Sequence, residues 1–517
     1  MKPKLRWGVI ILMVWLVSLT GHTQELTAGD YQEPYRPQWH FSPPSGWMND
    51  PNGLVYHQGE YHLFYQYYPD ATRWGPMHWG HAVSRDLVHW QHLPIALAPD
   101  DKGYIFSGSI VADRLNTSGL GKDGVIPLVA LFTYHDPKAA AQNTRNHESQ
   151  GLAFSLDNGR SWQKYANNPV IPNPGETQDF RDPKVFWHAP SQHWIMALSV
   201  TDHVQFWRSK NLIDWQYQSS FGKGLGAQGG VWECPDLLPF TLPGSDQTHW
   251  ALLLNLNPGG PQGGSGIQYF IGDFDGKTFS LDPDFANTLQ SQEAVWLDHG
   301  ADNYAGVTWS GVEDGRTLFI GWMSNWLYGQ QLPTHPWRSS MTMPRTLDMV
   351  STAQGLRLKS RPVAELESLR QPLSLTEHRE ANRLTMQSQT DIMQSEWWFE
   401  FRLPEQESIL ELIFSNELGE KLVLGVDKGQ FYIDRSQAGR ADFSEVFATK
   451  HRAPLIISDN ALSIRLFLDH SAVEVFVNDG QLSMTERFFP SRPYTSLSIS
   501  GRAELKQKQS YKLASIW

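Results

Sequence analysis

The sequence predicts an all-β protein in which a five-bladed β-propeller, residues 35–345, is followed by a C-terminal β-sandwich, residues 371–517. Three observations support this fold class. Short runs rich in β-branched and aromatic residues recur at a regular interval through the first part of the chain. Alternating apolar and polar residues return near the C-terminus. Helical periodicity is scarce before about residue 360, so strands are expected to form most of the structure.

Five similar apolar runs define the repeat. They begin at Tyr61, Leu128, Trp194, Trp250 and Thr317, at intervals of 67, 66, 56 and 67 residues. Units of this length that hold several strands are typical of a β-propeller with one sheet per unit, so five units predict five blades. An irregular β-sandwich with accidental spacing is the alternative interpretation.

A second strand-like element lies upstream of each apolar run. These elements begin at Asn49, Phe106, Arg181, Trp232 and Asp302. Because the first strand of each propeller blade lines the central channel, the five upstream elements are expected to converge on one funnel.

The pattern changes after Arg345. Residues 346–370 contain the helix-like stretch PVAELESLR and are interpreted as a linker. From residue 371 onward, seven short alternating strands predict a β-sandwich. Two of these strands are joined at HSAV, and Asn478-Asp479-Gly480 is a strong hairpin signal.

Residues 1–24 are interpreted as a signal peptide. Three basic residues precede an apolar stretch of 13 residues, Trp7–Leu19, which is too short to span about 30 Å of hydrocarbon. An uncleaved anchor or a buried strand is the alternative. The sequence therefore predicts a secreted, periplasmic or cell-envelope protein without membrane contact beyond the export signal.

Charge and cysteine content narrow the function classes. The chain has 42 basic and 54 acidic residues, whereas nucleic-acid binders normally carry a basic excess. Cys234 is the only cysteine, so an internal disulfide and a cysteine-rich zinc site are excluded. His78 and His81 lie three residues apart on an extended segment and point to opposite faces, so no metal and no cofactor are predicted. The 22 tryptophans fit a surface that stacks on sugar rings.

Three acidic motifs begin three of the upstream elements: Asp50 in WMNDPNG, Asp182 in FRDPKVF and Glu233 in WECPDL. A proline follows each acid directly or one residue later, which stiffens the local backbone. Each motif alone is most simply a turn, but their shared place in the repeat favours a catalytic site. Glycoside hydrolysis needs two carboxyl groups, one ionised and one protonated, and a third can stabilise developing charge.

These motifs resemble those of the fructan-hydrolysing glycoside hydrolases of family 32, which include levanases, inulinases and invertases. The resemblance runs from Trp39 to Arg345 and continues in DHSAVEVFVNDG, Asp469–Gly480. It is carried, in order, by WMNDPNG, FYQYYP, MHWGH, FSGS, FRDPKVF, WECPDL and DNYA. The architecture of this family, a five-bladed propeller followed by a β-sandwich, agrees with the repeat count.

The resemblance implies that Asp50 is the nucleophile, that Glu233 is the acid/base, and that Asp182 stabilises the oxocarbenium-like transition state. The residues implied to shape the terminal-fructose pocket are Asn49, Gln66, Trp74, Phe106, Ser107, Arg181 and Asp302. Trp79 is expected to help close that pocket. The implied pathway retains anomeric configuration, which requires the carboxyl groups of Asp50 and Glu233 to lie about 5–5.5 Å apart. DNYA departs from the DFYA of many relatives, so the pocket shape is expected to differ at this motif.

The expected function is release of terminal fructose from β-fructans such as levan and inulin, and from sucrose. A sucrose-preferring invertase, a fructosyltransferase and an endo-acting levanase are alternatives on the same fold. An inverting arabinan hydrolase or a non-catalytic sugar-binding propeller are alternatives of other classes. The expected partner is a fructan or sucrose and not a nucleic acid, while the oligomeric state is not predicted.

Overall fold

The computed structural model describes residues 31–517 except 176, 243, 405–408 and 458. The predicted signal peptide, residues 1–24, lies outside the described residues. Within the described part, no helix is long and apolar enough to cross a membrane.

Five antiparallel sheets surround a central channel and confirm the predicted propeller. The first blade contains β1 (Gly46–His57), β2 (Glu60–Tyr68), β3 (His78–Ser84) and β4 (Trp90–Leu97). The second contains β5 (Tyr104–Ala112), β6 (Leu128–His135), β7 (Glu148–Ser155) and β8 (Gln163–Lys164). The third contains β9 (Phe180–His188), β10 (His193–Val200), β11 (His203–Ser209) and β12 (Trp215–Phe221).

The fourth and fifth blades complete the ring. The fourth contains β13 (Val231–Thr241), β14 (Thr248–Asn257), β15 (Gly266–Phe274) and β16 (Phe279–Leu281). The next strands are β17 (Tyr304–Thr308), β18 (Thr317–Trp322), β19 (Trp337–Arg338), β20 (Arg345–Thr352) and β21 (Gly355–Pro362). Of these, β19 pairs in parallel with β1, and the other four form the fifth blade. The inner strands β1, β5, β9, β13 and β17 contact one another around the channel, as the upstream elements predicted.

The predicted boundary at residue 345 and the linker 346–370 are wrong. Strands β20 and β21 pair with each other, and β20 pairs with β18, so the fifth blade extends to Pro362. The connection to the sandwich is a short segment with a 3₁₀-helix at Ala364–Leu369. The error arose because the outer strands of this blade are partly exposed and lack the aromatic runs that mark the inner strands.

Two short helices were not predicted: α1 (Pro137–Ala141) and α2 (Pro283–Ser291). Each begins with an Asp-Pro pair, in which the aspartate accepts hydrogen bonds from backbone N–H groups of the first turn. Both are too short for apolar periodicity to be visible. The Asp-Pro pair at the start of each helix was therefore the only sequence signal for these helices.

The C-terminal region is a β-sandwich, as predicted. Its strands are β22 (Arg370–Pro372), β23 (Thr376–Glu380), β24 (Arg383–Gln387), β25 (Ser395–Arg402), β26 (Leu410–Ser415), β27 (Lys421–Asp427), β28 (Gln430–Gln437), β29 (Lys450–Pro454), β30 (Ala461–Asp469), β31 (Ala472–Val477), β32 (Leu482–Arg487), β33 (Ser496–Gly501) and β34 (Glu504–Leu513). One sheet has the order β22-β34-β25-β30-β31-β32, and the other has the order β23-β24-β33-β26-β27-β28-β29. Apolar side chains of the two inner faces, such as Trp397, Phe399 and Leu412, form the core. The hairpins at HSAV and Asn478–Gly480 are confirmed.

Buried ion pairs join the propeller to the sandwich. Arg345 Nη1 lies 2.9 Å from Asp298 of the propeller, and the same guanidinium bonds to Glu474 of the sandwich. His40 lies between Asp469 Oδ2, at 2.8 Å, and Glu474 Oε1, at 2.9 Å. All these side chains are buried, so each charge depends on its partner across the interface.

Replacement of Arg345 by Met is expected to lower the free energy of unfolding by about 3–5 kcal/mol, because Asp298 and Glu474 lose their buried partner. Arg114→Met is the matched control, since Arg114 and Glu313 form an ion pair with side chains that are 52% and 63% exposed. The control change is expected to cost at most about 1 kcal/mol. Urea unfolding followed by tryptophan fluorescence measures both. An equal decrease in the free energy of unfolding in the two variants would contradict the stabilising role of the buried ion pairs.

Candidate active site

A β-bulge interrupts the inner strand of every blade. The pairing of inner and second strands shifts register between residues 48 and 51 in β1, 105 and 108 in β5, 181 and 184 in β9, 233 and 236 in β13, and 304 and 307 in β17. Each of the three predicted catalytic acids lies at one of these bulges. Because a bulge interrupts the alternation of side chains, it can direct an inner-strand residue into the channel.

Asp50 is held by two neutral donors. The Ser107 hydroxyl donates to Asp50 Oδ2 at 2.7 Å, and Asn49 Nδ2 donates to Oδ1 at 2.8 Å. Asn49 is itself oriented by the indole N–H of buried Trp47, which donates to Asn49 Oδ1 at 2.7 Å. This arrangement fixes the carboxylate through neutral groups, and no ion pair to it is formed within the described part of the chain.

Glu233 has a different environment. Its Oε1 accepts hydrogen bonds from Arg181 Nε at 3.1 Å and Nη2 at 3.0 Å, and its Oε2 accepts one from the Tyr304 hydroxyl. Burial, together with the nearby charge of Asp50, raises the pKa of Glu233, although Arg181 and Tyr304 oppose that rise. Glu233 therefore tends to hold a proton at a pH where an ordinary glutamate is ionised.

Asp182 completes the set of three carboxyl groups. The backbone N–H of Cys234 donates to Asp182 Oδ2 at 3.0 Å, while the Asp182 backbone N–H donates to Thr133 Oγ1 at 3.0 Å. Asp182 and Cys234 both have positive φ, +65° and +44°, a conformation that costs L-residues energy and clusters at functional sites. Burial and the charge of Glu233 raise the pKa of Asp182 well above its usual value.

The Cys234 thiol lies among the acids rather than in a reactive position. Its sulfur is 3.6 Å from Asp182 Oδ2 and 3.7 Å from Asp50 Oδ2. Burial and the neighbouring carboxylates raise the pKa of this thiol well above its usual value. The nucleophilic thiolate form is therefore disfavoured.

A cavity of about 360 Å³ opens above these acids, within the range of small-molecule sites. The predicted site residues that line it are Asn49, Asp50, Gln66, Trp74, Phe106, Ser107, Arg181, Asp182 and Glu233. Trp74 is 36% exposed at the rim, and Phe106 stacks face to face on His135 with ring centroids 4.3 Å apart. The cavity thus combines aromatic walls with a polar floor.

Two expectations about the cavity are wrong. Asp302 accepts hydrogen bonds from Arg435 Nη1 at 2.6 Å and from the Tyr328 hydroxyl at 2.8 Å, so it lies at the interface with the sandwich. Trp79 is fully buried between blades, and its indole N–H donates to the Phe106 carbonyl at 2.9 Å. Trp79 therefore supports a wall residue instead of lining the cavity.

Several residues at the site were not predicted. Tyr304 contacts Glu233, and the additional lining residues are His135, His147, Glu148, Asp179, Trp326 and Gln330. Tyr304 could have been found, because it stands in the DNYA motif that marks the fifth inner strand. The others stand at or near strand ends and outside the motifs that mark the inner strands, so the sequence offered no signal for them.

Arg181 connects the predicted catalytic acid Glu233 to Glu148 and Asp179, two of the additional lining residues. Its Nη1 bonds to Glu148 Oε1 at 3.1 Å and to Asp179 Oδ1 at 2.7 Å, while Nε and Nη2 face Glu233. Burial opposes ionisation of Glu148, but the charge of Arg181 and the contacts from His135 and His147 lower its pKa to about 2. Arg181 is the only lysine or arginine that lines the cavity among the described residues, so several carboxylates share one fixed cation.

A five-bladed propeller whose channel presents carboxyl groups in contrasting environments beneath aromatic walls has the features of a glycoside hydrolase. The model of the glycosyl hydrolases family 32 N-terminal domain matches residues 40–362, and that of the family 32 C-terminal domain matches residues 365–517. The chain belongs to glycosyl hydrolase family 32.

Individual relatives agree with this assignment. The chain is 42% identical to a levanase of Bacillus subtilis (strain 168), over 98% of this chain and 75% of the relative. It is 40% identical to an extracellular exo-inulinase of Aspergillus awamori, over 95% of this chain and 96% of the relative.

Solved structures show the same similarity. The crystal structure of the exo-inulinase from Aspergillus awamori has a TM-score of 0.86 and 38% identity, and the match covers 94% of this chain and 100% of the other. The fructofuranosidase from Schwanniomyces occidentalis complexed with fructose has a TM-score of 0.83 and 34% identity, covering 94% and 99% of the two chains.

Cys234 is expected to react with iodoacetamide at least about ten-fold more slowly in the folded protein than in urea, because each unit of raised pKa removes about nine-tenths of the thiolate and burial blocks access. Since the chain has one cysteine, the increase in intact mass reports this residue alone. Equal labelling rates in buffer and urea would contradict the buried, protonated thiol.

Proposed function

We propose that this protein is a secreted, retaining exo-hydrolase that removes terminal fructose from β-fructans. The observation that carries this proposal is the contrast between two carboxyl groups of one cavity. Asp50 is held by neutral donors, whereas Glu233 has a raised pKa and contacts Arg181 and Tyr304. This is the pairing of nucleophile and proton donor that a retaining glycosidase needs.

In the proposed first step, the Asp50 carboxylate attacks the anomeric carbon of the terminal fructosyl unit. Ser107 and Asn49 keep the attacking carboxylate in place. Glu233 donates its proton to the departing glycosidic oxygen as that bond breaks. The products of this step are a covalent fructosyl-enzyme and the shortened chain.

In the proposed second step, Glu233 accepts a proton from water, and the water oxygen attacks the anomeric carbon. The bond to Asp50 breaks, and fructose leaves with its original configuration. Asp182 takes a third role, in which it holds sugar hydroxyls and stabilises positive charge on the ring. The hydrogen bond from the Cys234 backbone N–H to Asp182 Oδ2, together with burial, favours a stationary side chain for that task.

Exo action and export are part of the proposal. Trp74, Phe106 and Gln66 from the first two blades, with Trp326 and Gln330 after β18 of the fifth blade, would enclose one chain end. The curated relatives described as extracellular exo-inulinases support both exo action and an exported protein. Residues 1–24 would then be the cleaved signal peptide.

Asp50→Asn is expected to lower kcat/KM on levan by at least about a thousand-fold, because the amide keeps the shape of the side chain but loses the nucleophile. Asp101→Asn, at an exposed position away from the cavity, is the control and is expected to retain full activity. Fructose release measures both. Turnover near the wild-type level in Asp50→Asn would remove Asp50 from the mechanism.

Tyr304→Phe is expected to move the alkaline limb of the kcat/KM profile to higher pH. The Tyr304 hydroxyl stabilises the ionised form of Glu233, so its loss raises the pKa of the acid further. Glu233 must be protonated to act, and activity is lost as the pH rises through that pKa. Tyr56→Phe, on the first blade and outside the cavity lining, is the control. An unchanged limb, or a shift to lower pH, would contradict the role of Glu233.

Free fructose is expected to be the main product within the first few per cent of levan digestion, because an enclosed cavity admits only a chain end. Chromatography of early samples separates this outcome from an early pool of short oligosaccharides, which an endo-acting enzyme would release. NMR of the first product is expected to show the β-anomer, as retention requires. Early oligosaccharides would overturn exo action, and the α-anomer would overturn retention.

A further inference from the structure

A group of metal-ligating side chains lies beside the catalytic acids. His135 ends β6 and Glu148 begins β7, and the two residues are direct partners in the pairing of these strands. His147 precedes Glu148 at the end of the β6–β7 connection. Candidate ligand atoms of these three side chains all lie within 4.8 Å of one another, and all three residues line the cavity.

One distance within this group equals the separation of two ligand atoms that bind the same metal ion. His135 Nδ1 lies 3.3 Å from Glu148 Oε1, and His147 Nε2 lies 3.8 Å from the same oxygen. Hydrogen bonds between charged groups are shorter, about 2.7–2.9 Å. Two ligand atoms on one tetrahedral Zn²⁺, each about 2.0–2.1 Å from the ion, are separated by about 3.3–3.4 Å.

The tautomer of His147 supports the same interpretation. His147 Nδ1 lies 2.7 Å from the Thr144 carbonyl oxygen, so this nitrogen carries a hydrogen and donates it. In the neutral ring, the Nε2 lone pair therefore faces the Glu148 carboxylate. Two electron pairs that face each other are stabilised by a cation between them.

Neighbouring groups orient the three side chains, as they do around known metal ligands. The Phe180 backbone N–H donates to Glu148 Oε2 at 2.7 Å, which leaves Oε1 toward the histidines. Phe106 stacks on the His135 ring with a 10° interplanar angle. The carboxyl groups of Asp50 and Asp179 line the same cavity and add negative charge, which attracts a cation.

We propose that His135, His147 and Glu148 form a site for a divalent transition-metal ion of the Zn²⁺ type, and that the bound ion lowers turnover. Two imidazoles and one carboxylate are a ligand set that such ions accept, with a further position open toward the cavity. Inhibition is expected because the ion and Arg181 would share Glu148 Oε1. Arg181 also contacts Glu233, so a change at Glu148 would reach the proposed acid/base. This effect on turnover rests on the proposed function, whereas binding of the ion does not.

Calorimetric titration of the chelator-treated full chain with ZnCl₂ tests binding directly. One ion per chain is expected, and CoCl₂ is expected to give the visible absorption of a tetrahedral cobalt site. His147→Ala and Glu148→Gln are each expected to weaken Zn²⁺ binding by at least about ten-fold, with His135→Asn as a further variant. His193→Ala is the matched control, because His193 Nδ1 also contacts a backbone carbonyl, that of Ser191, but the residue lies outside the cavity lining.

Thermal unfolding of each variant verifies that a loss of binding is not a loss of fold. Absence of Zn²⁺ binding, or equal binding in wild type and in all folded variants, would overturn the site. If one variant folds too poorly to be titrated, the other two variants still test the site, because each changes a different side chain.

Turnover is then measured with and without Zn²⁺. Inhibition that a chelator reverses in the wild type and in His193→Ala, and that is at least about ten-fold weaker in His147→Ala, supports the proposed link to Arg181. Tight binding without inhibition would overturn that link. If the protein proves inactive on every fructan, the titration still decides the metal site, so failure of the two proposals can be told apart.

Discussion

The β-bulge beside the channel in the inner strand of each blade determines what the channel presents. In a regular strand, successive side chains alternate between the two faces of a blade, and a channel would be lined by backbone and by few functional groups. The bulges interrupt this alternation at Asp50, Asp182 and Glu233. Blades that are otherwise filled with apolar side chains thereby deliver carboxyl groups to a common centre. The positive φ values of Asp182 and Cys234 show where the backbone departs from regular strand geometry to do so.

The electrostatics of the cavity depend on how few cations it holds. Arg181 contacts Glu148, Asp179 and Glu233 at once, so none of these acids has the arginine to itself. Asp50 has no contact with it and is held by a hydroxyl and an amide. Glu148, Asp179 and Glu233 therefore share one charged partner that Asp50 lacks. The pKa of Glu233 is raised by burial and by the charge of Asp50, despite its contact with Arg181.

Much of the fold could be predicted because propeller blades repeat. The spacing of aromatic runs gave the number of blades, and the inner strands carried recognisable motifs. The outer strands of the fifth blade, β20 and β21, were missed because their partly exposed residues resemble a connecting segment. The polar strands β23 and β34 were missed for a similar reason, since most of their residues are exposed or partly exposed.

The candidate site was predictable only where a motif marked it. Asp50, Asp182 and Glu233 stood at repeated positions, whereas Glu148 and His147 did not. Asp302 stood at such a position as well, but it faces Arg435, 133 residues away in the chain, and no local pattern reveals such a partner. The same motif contributes Tyr304 to the cavity, so one short segment serves both the interface and the site.

The buried charges between propeller and sandwich constrain how this architecture can evolve. Arg345 and Asp302 of the propeller are matched by Glu474 and Arg435 of the sandwich, respectively. A sandwich taken from a distant protein would leave some of these charges without partners, unless the matching residues changed with it. The two domains are therefore expected to be inherited as a pair, and functional hybrids require exchange of both sides of the interface together.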